Sequence, residues 1–208
     1  MTSPLAISSL GAQGFPASLQ GFAKTAQDAQ GILATLSALY PTPSLSPLAS
    51  FSPPALTLHP SSTPPPSSAT QALYTLVSSC NSIAASVQLG SLLAGGASEA
   101  DEFSDVGVWL GDLGGAEGAQ AVGALAVSRL GLEAWAGATV RARNAELPVP
   151  WERVPASLSK PLLELLFQLD KPVMFSLEGG NDAGDTPVFL LGKLEGGWGG
   201  LASVAVWT

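Results

Sequence analysis

At 208 residues the chain has room for one sizeable domain, or a domain with an appendage, and 16 acidic against 8 basic side chains give it a net charge of −8. Before Glu99 the only charged residues are Lys24 and Asp28, so the whole excess of negative charge falls in 99–208. Phosphate contacts need clustered Lys and Arg, so this balance opposes direct nucleic-acid binding, none of which is expected, and suits a basic protein partner, whose approach it would steer.

Cys80 stands alone, which excludes an internal disulfide, and one Cys with one His (His59) cannot complete a zinc ligand set. Met1–Leu10 has no charged n-region and its apolar run is broken by Ser and Gly. With Lys24 the only early cation, neither a secretory nor a mitochondrial leader is expected. Ala69–Ala97 is uncharged, yet its Gln71, Asn81, Gln88 and serines would be costly in lipid. The expectation is a soluble, cytoplasmic protein.

In chain order, Leu19, Phe22, Ala26, Ala29, Leu33, Leu36 and Tyr40 are three and four residues apart and predict a helix with one apolar stripe, weakened by Gly31 and ended by Pro41. Nine of the 17 prolines follow within 41–68 among many serines, which predicts an extended or disordered connector. Its Leu45, Leu48, Phe51, Leu56 and Leu58 leave open that part of it docks on the domain. A second helix is predicted over about Ala69–Leu93, with Leu73, Leu76, Val77, Cys80, Ile83, Ala84 and Val87 on one face and Gly95-Gly96 as the stop.

Next come an acidic loop, Ser98–Phe103, and a short strand, Val106–Leu110. The stretch Gly111–Ala145 is ambiguous: Val122–Leu130 and Leu132–Val140 fit strands, while Ala119–Val127 tolerates helix. Leu147–Trp151 reads as a rigid proline turn exposing an aromatic. Ser159 is positioned to cap a buried helix running to about Leu169, with Asp170-Lys171-Pro172 as its stop. A strand at Val173–Glu178 and a glycine-turn hairpin over Val188–Thr208 complete a three-stranded antiparallel meander. The fold class is therefore α+β, with helices on a mostly antiparallel sheet. Its divisions are a helical extension at 1–40, a Pro/Ser-rich linker at 41–68 and a domain at 69–208. Trp109, Trp135, Trp198 and Trp207 are expected in the core or packed on the hairpin, Trp198 being the most exposed of them.

An enzyme is not expected. The glycines of Gly111–Gly118 match neither the Walker nor the dinucleotide spacing, and His59 sits in a proline-rich connector. Three pieces of the chain instead resemble the nuclease A inhibitor family, acidic proteins that block sugar-non-specific nucleases of the ββα-metal type. They are Ser98–Glu102 with Val106 and Trp109 after it, Pro148-Val149-Pro150-Trp151 before a helix, and Val188–Lys193 with Gly200–Ser203 ending on Thr208. The resemblance covers about Ala69–Thr208.

The resemblance implies an α/β/α sandwich and a protein that caps the metal-containing active site of a non-specific endonuclease. By position the residues that enter the nuclease site would be Glu99, Trp151 and Thr208, with Asp101 and Glu102 joining Glu99 as phosphate mimics on the acidic loop. The Thr208 carboxylate and hydroxyl would reach the partner nuclease's Mg²⁺, an ion that prefers hard oxygen ligands. No cofactor of its own and a monomeric free state are expected. The alternative is a non-catalytic interaction module on the same fold that has lost the nuclease partner and binds through the first helix or the proline-rich stretch.

Overall fold

A computed structural model of the chain describes residues 5–6, 26–41, 49–52, 56–96, 102–180 and 184–206. The fold is α+β. Eight strands, β1 (Leu5–Ala6), β2 (Ala49–Ser52), β3 (Thr57–Pro60), β4 (Val106–Gly111), β5 (Thr139–Arg143), β6 (Asp170–Glu178), β7 (Asp185–Leu194) and β8 (Gly197–Val206), form one sheet in the order β1-β2-β3-β4-β8-β7-β6-β5. Among the described residues only the β3–β4 pair is parallel. Four helices among the same residues, α1 (Ala26–Leu39), α2 (Ser67–Ser86), α3 (Gly118–Arg129) and α4 (Ala156–Gln168), cover the sheet. None among the described residues is long and apolar enough to cross a membrane.

Side chains alternate across a strand, so a sheet with helices on both faces divides its residues by parity. Phe175, Leu177, Phe189, Leu191, Ala202 and Val204 join Ile32 and Leu36 of α1 and Val122 and Ala126 of α3 in one core. Met174, Val188, Leu190, Leu201 and Ala205 join Leu76, Val77, Cys80 and Ile83 of α2 and Leu162 of α4 in the other. Buried on both faces, β7 and β8 read as near-continuous apolar runs.

Several elements depart from the sequence reading for identifiable reasons. The buried stripe of α1 is Ile32, Thr35, Leu36 and Leu39, with Leu33 only half-buried, so the phase is shifted by one residue. Residues 19–25 of the predicted helix lie outside the described residues. Trp135 Nε1 donates to the Leu39 carbonyl at 3.1 Å and Tyr40 Oη to that of Leu130 at 2.9 Å, which fastens the end of α1 to the body. The proline-rich stretch contributes β3, whose Thr57, Leu58 and His59 are buried. A boundary at residue 69 therefore does not divide the hydrophobic core, which already holds Ile32, Leu36, Leu56 and Leu58.

Helix α2 stops at Ser86 rather than near Leu93, because Gln88 takes a left-handed φ of 59° and Leu89 N–H closes back on the Ala84 carbonyl at 2.9 Å. The ambiguous stretch resolves to helix first. Ala119, Val122, Gly123 and Ala126 recur at three- and four-residue spacing and are buried in α3, a short 3₁₀ turn holds Glu133–Trp135, and β5 follows. Gly123 is required there, since a Cβ would lie 2.7 Å from Val140 Cγ1.

Helix α4 starts three residues before Ser159, on the Pro155 carbonyl, which accepts from Leu158 and Ser159 N–H. It is not a buried helix: Leu162 is its one buried residue, while Leu163 is 38% and Phe167 86% exposed. Pro172 lies within β6, at a shift of register between Asp170 and Val173 where its missing N–H is tolerated. Trp198, expected to be the most exposed tryptophan, is buried in β8 with Lys193 Nζ over its ring at 5.8 Å.

Candidate functional site

The β7–β8 hairpin turns at Glu195-Gly196, and its register runs without interruption from Leu194↔Gly197 back to Asp185↔Val206. Gly196, at φ +87°, supplies the left-handed position this tight turn needs. The far end of the hairpin thus brings the last described residue of β8 beside Asp185. Strand β4 is paired to β8 with Val106 opposite Ala202, so the segment entering β4 arrives at this same end.

That segment, Phe103–Asp105, is held from several sides. Ser104 N–H donates to Thr35 Oγ1 at 3.0 Å, and the Ser104 carbonyl accepts from Thr35 Oγ1 at 2.8 Å and from Ser203 Oγ at 3.2 Å. Gly31 allows this approach, since a Cβ on it would fall 2.1 Å from Ser104 Oγ. The glycine that weakens α1 in sequence is thus the place where the acidic segment crosses the helix. Asn81 of α2 bonds Asp105 in both directions, donating to its carbonyl at 3.1 Å and accepting from its N–H at 3.2 Å.

Glu102 is exposed at the start of this segment, and its charge reaches Asp185. Burial first, and then the Glu102 carboxylate, push Asp185 above the usual range. The folded state then holds the Asp185 proton at higher pH than the unfolded chain does. Stability therefore falls as pH rises from the unfolded value through the raised one. Asp185→Asn is expected to raise the thermal midpoint at neutral pH, with the advantage vanishing at pH values below the titration of both states. An advantage that persists unchanged into acid would contradict the assignment.

Trp151 opens a short 3₁₀ turn, Trp151–Arg153, after two successive tight turns in which Val149 N–H donates to the Leu147 carbonyl and Trp151 N–H to that of Val149, both at 2.8 Å. Its ring is half-buried against the core that contains Leu92, Leu93, Leu147, Val154 and Ala205. Pro148 presses on Gly95: a Cβ there would be 2.4 Å from Pro148 Cγ. The Trp151 loop, the turn ahead of the acidic stretch and the end of β8 therefore share one packed cluster.

Of the predicted partner-binding residues, Glu102 lies within electrostatic reach of Asp185, and the loop that carries Trp151 meets the 91–95 turn through Pro148 and Gly95. Glu99, Asp101 and Thr208 lie outside the described residues. Asp185 was not foreseen, although counting the hairpin back from its turn pairs it with Val206. Asp105 was missed as well, and its bonds to residues distant in sequence left no local signal.

Elsewhere, His59 is buried in β3 with Nδ1 2.9 Å from the Pro60 carbonyl oxygen, and Cys80 is buried in α2, its thiol pushed well up by burial and then by the charge of Asp105. Among the described residues no group of three or more His, Cys, Asp or Glu side chains is arranged to hold a metal ion. No family model matches the chain, and neither a curated protein nor a solved structure matches it.

Proposed function

We propose that the chain is a protein inhibitor of a non-specific endonuclease of the ββα-metal type, binding by the end of the sheet that carries Glu102, Asp185 and Trp151. The convergence of an exposed carboxylate, a second carboxylate beside it and a proline-stiffened tryptophan at one end supports this reading most. A nuclease that accepts any nucleic acid must offer a basic, open cleft for phosphates. Carboxylates at Glu99, Asp101, Glu102 and Asp185 would occupy that cleft as phosphate mimics, and Trp151 would serve as the pre-ordered aromatic anchor. Thr208 would supply hard oxygen ligands to the nuclease's own Mg²⁺.

Titration of the chain into a ββα-metal nuclease acting on DNA tests the proposal. Stoichiometric inhibition is expected, with an association rate that falls as ionic strength rises. A folded chain that inhibits none of several such nucleases would overturn it. The alternative, binding through the first helix or the proline-rich stretch, gains no support from the described part of those segments. The stripe of α1 and the side chains of β3 are spent in the core.

A further inference from the structure

Asp105 is fully buried directly before β4, and its carboxylate accepts three hydrogen bonds from one short turn: Ser91 Oγ–H at 2.6 Å and Leu93 N–H at 3.2 Å on Oδ1, and Leu92 N–H at 2.9 Å on Oδ2. The same Ser91 hydroxyl accepts from Ala94 N–H at 3.0 Å, and Gly95 N–H closes on the Ser91 carbonyl at 3.2 Å. Residues 91–95 are thereby a self-bonded unit fastened to one carboxylate. The far side of that unit bears on the Trp151 loop, through Gly95 against Pro148 and through Leu92, Leu93 and Ala94 packed with Leu147 and Val154. Asp105 itself is tied by Asn81 to α2 and follows Ser104, which is tied to α1 and β8.

We propose that Asp105 is a positioning residue that fixes the Trp151 loop relative to Glu102 by clamping the 91–95 turn between them. An apolar residue at 105 would fill the same space but leave Ser91 Oγ and two backbone N–H groups buried without acceptors, so a role limited to packing does not account for a carboxylate here. Asparagine is no substitute. Its single carbonyl oxygen can replace Oδ1 for Ser91 and Leu93, but its amide NH₂ then faces Leu92 N–H, donor against donor. A binding end built from two separate loops gains affinity when their spacing is set before the partner arrives, and this clamp would set it. That consequence rests on the inhibitor reading, whereas the clamp itself does not.

The test is amide hydrogen exchange on the full chain, comparing Asp105→Asn with the parent under conditions where the sheet opens only locally. Exchange at Leu92 and Leu93 should quicken by at least about tenfold, and exchange at Trp151, Arg153 and Val154 should quicken with it, while Phe175 and Phe189 in β6 and β7 stay as they were. A uniform rise across the sheet, or a rise confined to Leu92 and Leu93, would overturn the proposal. Should Asp105→Asn fail to fold, Ser91→Ala keeps the carboxylate and both of its backbone bonds, and the same graded pattern is expected in smaller degree. No partner is involved in this measurement, so a chain that shows the pattern but inhibits no nuclease keeps the clamp and loses only the inhibitor reading.

Discussion

Replacing Phe175 by Ala is expected to cost about 3–5 kcal/mol, enough to remove a large share of the roughly 5–15 kcal/mol that holds a domain folded. Phe175 is wholly buried and stacks on Phe189 with ring centroids 5.0 Å apart and planes inclined by 12°. Gly123 lets α3 settle close above it, with the site of a Cβ only 3.2 Å from Phe175 Cε2. Removing the ring would empty a volume walled by strand and helix backbone, which cannot collapse without moving α3, so the cavity cost adds to the lost transfer energy. Urea unfolding of both chains measures this as a lower midpoint at unchanged slope. A loss below about 1 kcal/mol would mean that the two-face core is misassigned.

The largest expected effect on binding is that of Trp151→Ala. Under the inhibitor reading the ring is an anchor presented by a loop held by its own turn bonds and by Pro148 on Gly95. Truncating such an anchor removes about 2 kcal/mol or more, so the inhibition constant should rise at least about 30-fold. Because the ring is half-buried against the core that contains Leu92, Leu93 and Ala205, some folding stability, about 1–2 kcal/mol, goes with it. The variant should therefore remain folded at 25 °C, and the two effects separate when affinity is measured on protein whose folding has been verified. Unchanged inhibition by the variant would remove Trp151 from the interface.

The C-terminal meander was the most legible part of the sheet, and the reason is local. Strands β6 to β8 run consecutively, are joined by short connections and carry apolar runs bounded by turn residues, so the meander follows from neighbouring residues alone. Helix α1 was mis-phased because Thr35, polar by composition, is buried to bond the Ser104 backbone, and hydropathy has no means of placing such a residue inside. The leucine content of α4 predicts a buried helix. Whether an apolar face is covered depends on elements far away in sequence, and here nothing among the described residues covers Phe167. In α3 the mixture of Ala, Gly and Val satisfies both periods, and only packing on β5 and β6 selects helix.

The candidate site was legible as pieces and not as an arrangement. The acidic stretch and the proline–tryptophan turn announce themselves by composition. That they meet depends on Gly95 touching Pro148 and on Asp105 gathering the turn at 91–93, contacts between residues separated by 53 and by 12 to 14 positions. Asp185 was hidden in a loop of small polar residues, and only the hairpin register gives it a neighbour in Val206.

The most direct measurement of the central claim compares the chain ending at Thr208 with a Thr208 deletion and with the same chain extended by a C-terminal tag. All three are titrated against one ββα-metal nuclease at fixed Mg²⁺. Deletion removes the terminal hydroxyl and carries the carboxylate back by one residue, and extension displaces it altogether. Inhibition by the first chain and its loss in both others are expected, with unchanged thermal midpoints. Inhibition by the tagged or shortened chain equal to that of the first would contradict the terminal-ligand mechanism.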